Sequence, residues 1–428
     1  MSSSFHPQTE RLFLGLTRSE CQAILLGLIA TLAGIGLARF SFTPLLPQLI
    51  LAGWFSSEQA FLLGAANLAG YFTGAVLSLF FARYFALVRL IQACLILILL
   101  SFLLSSQPHW PAPWMTWISP YSWFAGWRFI AGATGAMLVV LAPGYVLNQL
   151  RFEQRALGGS LVFTGVGVGA LLSATLIPAL VETSLSLTWQ ALAGLQAAIT
   201  LVAFWLIQDL QRRTAPQPHT AASTAAQPIA PKTGVMLLVA LVIVAYSFDA
   251  LGFVPHTVFW MDYLVRDLAF STQASSLQWI LFGCGAMCGP FIAGILARNI
   301  GFHPALMWGF ALKGTAIALP LLSSHPLSLS LSSFVVGLWV PGLVALTSGR
   351  VAELMGSLQH RQYWAYATAA FALAQAVSGY LLSGLYQATQ DYTLLFQLGS
   401  GCLFVGLLLL IISSITQRSQ HQPPAPTP

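Results

Sequence analysis

Apolar runs of helix length recur along this chain, without the every-other-residue alternation that a half-buried strand would show. They predict spanning helices at 21–50, 58–82, 86–106, 121–148, 156–181 and 188–208 in the first half. The second half gives 234–260, 275–298, 302–323, 327–354, 361–387 and 391–415. A bilayer core needs about 20 residues of helix, so the longer runs call for tilt or extension into water. Between the halves, "QDLQRRTAPQPHTAASTAAQPIAPKTG" has too little apolar surface to pack and reads as a flexible linker, and "QRSQHQPPAPTP" has the same character. The reading is an all-α polytopic membrane protein with twelve transmembrane helices in two six-helix, pseudo-symmetric bundles. Its expected parts are a tail at 1–20, a bundle at 21–208, a linker at 209–232, a second bundle at 233–415 and a tail at 416–428.

Composition agrees: 57% of the 428 residues are hydrophobic and 7% charged, against about 25% charged in soluble domains. That excludes a water-soluble enzyme, a nucleic-acid binder and a disordered chain. The net charge of +6 is spread singly over segment ends, so it does not make a nucleic-acid surface. Cys21, Cys94, Cys284, Cys288 and Cys402 lie in or beside apolar segments as small hydrophobes, and no metal site is expected. No removable signal peptide is evident. With the N-terminus in the cytoplasm, thirteen of the 17 Lys and Arg residues fall inside and only Arg266 outside. This places both termini in the cytoplasm by the positive-inside rule, and puts the tryptophan-rich loop "QPHWPAPWMTWISPYSWFAGW" outside.

The halves echo one another. "LFFARYFALVR" follows the second span and "GILARNIGFHP" the eighth, and each half's first helix carries a charge shortly before a proline, Arg39 in "RFSFTP" and Asp249 in "DALGFVP". Six spans, a linker and six related spans form the pattern of transporters with a binding site between the repeats. Charges within spans are costly and point to partners or function. Counting about 1.5 Å per residue, Arg39, Asp249 and Arg128 share one depth, roughly 20–22 Å from the inner face.

Arg39 is expected to anchor an anionic group of the substrate, because guanidinium grips carboxylate or phosphate through two N–H donors. Asp249 is expected as its resting partner and as proton acceptor; a permanent Arg39–Asp249 pair holding the bundles in register is the structural alternative. Arg128, in "GWRFIAGATGAM", either bonds backbone carbonyls or takes part in coupling. Lys313 is read as snorkelling to an interface rather than touching substrate. His256, seven residues after Asp249 on the same helix face, is a candidate proton carrier. Asn67, Tyr71, Tyr246, Trp279, Trp339 and Gln375 are expected to line a cavity. Gly165 and Gly169 permit close helix contact, and Pro44, Pro47, Pro143, Pro255 and Pro341 permit bends.

HExxH, a phosphate-binding GK[ST] loop and GxSxG are absent from the sequence, and so is a TVGYG-type filter. The stretch "GLARFSFTPLLPQLI" resembles the first-helix signature of the YbfB/YjiJ-type branch of the major facilitator superfamily, approximately GxGRFxYTPLLPxM. "TAAFALAQAVSGYLLSGLYQAT" is similar to that branch's eleventh helix, and "YSFDALGFVPHTVF" more loosely to its seventh. The resemblance implies the twelve-helix facilitator fold, a bacterial inner-membrane location, and alternating access without a bound cofactor. It aligns Arg128 with a fourth-helix arginine linked to proton coupling in antiporters, and places the ninth helix, with Lys313, at the periphery. The superfamily's loop signature, approximately GxLADRxGRR, is degraded: Ala82 stands at the Asp position of the first copy and Arg298 at that of the second.

The expectation is a monomeric, proton-coupled transporter of a small organic molecule, with a lean towards anions because three intramembrane cations face one carboxylate. The competing readings are a drug or lipophilic-cation/proton antiporter, with Asp249 facing the cargo, and a non-transporting membrane sensor or scaffold.

Overall fold

The computed structural model describes residues 15–109, 117–213 and 233–421. Most of the expected linker, the tail beyond 421 and the loop at 110–116 lie outside the described residues. Among the described residues, twelve helices are long and apolar enough to cross a membrane. In the first half they are α1 (Arg18–Leu51), α2 (Ser57–Tyr84), α3 (Leu87–Leu104), α4 (Pro120–Gln149), α5 (Leu161–Val181) and α6 (Leu185–Arg212). In the second half they are α7 (Gly234–Asp267), α8 (Thr272–Ile300), α9 (Phe302–Leu322), α10 (Pro326–Gly356), α11 (Gln362–Thr389) and α12 (Tyr392–Arg418). The face at which α1 begins and α12 ends is called the near face below, and the opposite one the far face.

Local chemistry sets the ends. Thr17 and Glu20 form a reciprocal capping box at the start of α1, and Ser56 and Gln59 form another at α2. Ser119 caps α4, with Pro120 in its first turn, where a missing N–H costs nothing. Gly356, at φ +69°, turns the chain from α10 into α11, a backbone angle that side chains with a Cβ rarely adopt.

The first helix of each half is distorted in the middle. α1 widens into a π-helical stretch at Leu32–Leu37 and resumes at Phe42–Leu51, while α7 widens at Pro255–Phe259. Close approach to α5 is possible because Gly36 meets Gly169, where a Cβ on Gly36 would stand 2.7 Å from the Gly169 Cα. Leu201, Leu381 and Ile415 are exposed on outward-facing helix surfaces, where lipid covers apolar side chains without penalty.

The halves meet along several helix pairs. Gly167 of α5 lies against Met287 and Gly283 of α8, and Gly379 of α11 against Ala65 and Leu68 of α2. Between α1 and α7, the Thr43 hydroxyl donates to the Thr257 carbonyl.

Candidate functional site

The distortion of α1 frees backbone carbonyls inside the bundle, where each needs a donor. Arg128 of α4 supplies one: its Nη1 donates to the Ala38 carbonyl at 2.9 Å, and its guanidinium carbon lies 4.2 Å from the Phe42 ring centroid. Asn67 of α2 in turn donates from Nδ2 to the Arg128 carbonyl at 2.9 Å. Arg128 and Asn67 therefore brace α1, α2 and α4 against one another.

One residue further on, Arg39 lies at the junction of the halves and is 8% exposed. Its Nη1 donates to Oε1 of Gln375 on α11 at 3.0 Å. Its guanidinium carbon is 5.8 Å from the Tyr71 ring centroid and 5.5 Å from that of Phe253. Among the described residues, Arg39 Nη2 and Gln375 Nε2 are buried without a hydrogen-bond partner. Trp279 of α8 stacks at 4.4 Å on Phe282 and lies edge-on to Phe40, the residue after Arg39; its Nε1 has no hydrogen-bond partner among the described residues.

The expected pairing of Arg39 with Asp249 is not the one formed. Asp249 Oδ1 instead accepts from Lys313 Nζ of α9 at 2.5 Å, with both side chains buried. Lys313 therefore does not snorkel to an interface; a buried ammonium needs a counter-charge, and Asp249 supplies it. The ammonium lies 4.5 Å from the centroid of Phe253, the same ring that Arg39 approaches. Asp249 Oδ2 has no partner.

His256 turns into the second half. Its Nε2 is 2.8 Å from Oγ of Ser332 on α10, whose own proton goes to the Ala316 carbonyl of α9 at 2.6 Å. The serine oxygen is thus the acceptor, which puts the histidine proton on Nε2 and leaves Nδ1 bare and unpartnered. The ring stacks on Trp260 at 4.3 Å. Tyr246 stacks on Phe371 at 4.3 Å and Trp339 packs against Gly309, both within the second half. Of the residues expected to line a cavity, Tyr71 and Gln375 thus lie beside Arg39 at the junction, and Trp279 packs on the neighbouring Phe40. Asn67 and Arg128 brace the first half, and His256, Tyr246 and Trp339 lie among helices of the second.

Sequence reasoning passed over Phe253, whose ring both cations approach, and the far-face cluster around Arg266. There Asp262 takes Arg266 Nε at 2.6 Å and Nη2 at 2.5 Å, and also accepts from the Tyr392 hydroxyl. Arg266 Nη1 reaches across the halves to Ser57 Oγ at 3.0 Å. Beneath it Phe61 packs on Phe259 and Tyr386 at 4.5 and 4.9 Å, so the far ends are closed on one another. The signal was present: Arg266 and Asp262 stand four apart, one helical turn.

Among the described residues, no group of three or more His, Cys, Asp or Glu side chains converges as metal ligands would. Two solved structures share the architecture. A D-xylose–proton symporter is similar with a TM-score of 0.70 at 16% identity, over 91% of this chain and 97% of that one. A bacterial homologue of the iron transporter ferroportin, in an outward-facing state, is similar with a TM-score of 0.64 at 13% identity, over 93% of this chain and all of that one. No curated protein matches the sequence. The family model described as "Uncharacterised MFS-type transporter YbfB" matches residues 31–411, and the chain belongs to this YbfB-type family of major facilitator superfamily transporters.

Proposed function

We propose that this transporter moves a small organic anion together with a proton by alternating access, acting as a monomer in the bacterial inner membrane with its near face to the cytoplasm. The observation that carries the reading is Arg39. It is a nearly buried guanidinium at the junction of the halves, bonded to a neutral amide, with Nη2 and the adjoining Gln375 Nε2 lacking acceptors. Neither Arg39 nor Arg128 forms an ion pair among the described residues. A carboxylate or phosphate between Arg39 and Gln375 would offset that charge and satisfy donors from both halves.

Coupling follows from what lies across Phe253. While Asp249 is ionised, Lys313 is neutralised. Protonation of Asp249 frees the ammonium, raises the positive potential at the Arg39 site and strengthens anion binding. By reciprocity, a bound anion favours the proton on Asp249. Anion and proton therefore travel together, and binding shifts the rocking equilibrium only as far as one state holds them more tightly. Arg128 has a positioning role here, fixing the backbone from which Arg39 projects.

The test is a thermal-shift screen of the purified protein against small carboxylates, organic phosphates, lipophilic cations and neutral compounds at two pH values. Ligand at a hundred times Kd stabilises the folded state by about 2.7 kcal/mol. Stabilisation by anions, stronger at the lower pH and lost in Arg39→Gln, is expected. Stabilisation by lipophilic cations that depends on Asp249 would replace this reading with a cation antiporter. Ligand binding without counterflow in proteoliposomes would point to a non-transporting sensor.

A further inference from the structure

The segment "GILARNIGFHP", which runs from the end of α8 through Gly301 into α9, takes no part in the transport site, yet its Gly301–Pro304 end borders a cavity of about 420 Å³ at the near face. Gly301, at φ +86°, turns α8 into α9, and the first turn of α9 has no side-chain cap for its N–H groups. A helix N-terminus with open N–H groups attracts anions. Two further observations place positive charge and open valences at the same spot.

Arg350 of α10 lines the cavity while only 6% exposed, held by Glu353 Oε2 at 2.9 Å and Gln417 Oε1 at 2.7 Å, and its Nε–H has no partner. Glu353 neutralises that one arginine, so Arg418, on the cavity's α12 side, remains as excess positive charge. His303, also lining the cavity and 7% exposed, is within 3.1 Å of the Leu410 carbonyl through Nε2; that nitrogen carries the proton, and Nδ1 is a bare acceptor without a partner. The charge of Arg350 and Arg418 beside an uncapped helix start is the complement of a phosphate group. Ile411, Ile412 and Ile415 are exposed on α12, the helix whose Ser414, Gln417 and Arg418 line the cavity, and offer an apolar surface along which acyl chains can lie.

We propose that this near-face cavity between α9, α10 and α12 binds a phosphate group, with an anionic phospholipid headgroup of the adjoining leaflet as the source best matched by its surroundings. Basic pockets between spanning helices hold such headgroups through the same pairing of arginine with phosphate. The site is remote from the Arg39 junction and stands whatever the cargo is.

The experiment is native mass spectrometry and thermal shift on the detergent-purified full chain, titrated with phosphatidylglycerol, phosphatidylcholine or inorganic phosphate. Wild type, Arg350→Gln, Arg418→Gln and Arg298→Gln are compared. Arg298 is exposed in the last turn of α8 but does not line the cavity, so it controls for diffuse charge. Phosphatidylglycerol is expected to be retained in preference to phosphatidylcholine. Its affinity should fall about tenfold in each of the two cavity variants, as for loss of a charge-assisted hydrogen bond, and remain near wild type in Arg298→Gln. If Arg350→Gln does not fold, Arg418→Gln, an exposed position, carries the comparison. Stabilisation by inorganic phosphate but not by lipid supports the site and assigns a soluble phosphate to it. Equal retention of both lipids without a phosphate effect, or an equal loss in Arg298→Gln, overturns the proposal.

Discussion

Arg266 and Arg39 are both arginines between the two halves of one transporter, and their surroundings are opposite. Arg266 is saturated: a carboxylate takes two of its nitrogens, Ser57 a third, and the hydroxyls of Tyr386 and Tyr392 lie at 3.4 and 3.1 Å. Among the described residues Arg39 has one hydrogen bond, to a neutral amide, three aromatic neighbours and an unpartnered Nη2. A saturated guanidinium closes a structure; an unsaturated one in a desolvated place is costly unless something else completes it. The difference separates a latch from a binding group.

The sharpest break of this contrast is at the third cation. Asp249→Asn strands the Lys313 ammonium, and the cost should be about 3–5 kcal/mol of stability, as for one half of a buried ion pair. Asp249→Asn combined with Lys313→Met should regain most of it in thermal denaturation while transport loses its pH dependence. Arg39→Gln comes next. It should weaken anion binding about a hundredfold, the scale of a desolvated charge pair, yet leave the melting temperature of the ligand-free protein unchanged or raised. A large fall in that temperature would mean that Arg39 is structural after all.

Asp262→Asn tests the latch. Removing the charge that holds Arg266 should weaken far-face closure by about 1–3 kcal/mol. The readout is labelling of an Ala65→Cys reporter, a fully buried position against Gly379, by a membrane-impermeant maleimide. Labelling should be faster with Asp262→Asn than without it. The smallest effect belongs to Gln375→Ala, which removes one neutral hydrogen bond and should weaken anion binding about five- to tenfold.

The helix runs and their heights could be read from the sequence, because length and rise per residue depend on local chemistry alone. Arg39 and Arg128 do share a level, since Arg128 bonds the residue before Arg39. Pairing was not legible in the same way. Height along a helix follows from counting, but which neighbour a side chain faces depends on azimuth, and the π-helical stretch at Leu32–Leu37 shifts the facing angle just before Arg39. Asp249 was therefore matched with the wrong cation. The snorkelling expected of Lys313, on a helix the family resemblance places at the periphery, overlooks a carboxylate on α7 within its reach. Phe253 carried no signal, since one aromatic among 28 phenylalanines is ordinary in such a chain.

The central claim is that Arg39 and the Asp249–Lys313 pair bind an anion and a proton together. Its most direct test is the lumenal pH of proteoliposomes, followed with a trapped pH dye after addition of an anion that stabilises the protein. Wild type should acidify the lumen on addition, and Arg39→Gln should give no signal. Acidification by Arg39→Gln at the wild-type rate, or lumenal alkalinisation on adding substrate to wild type, would contradict it.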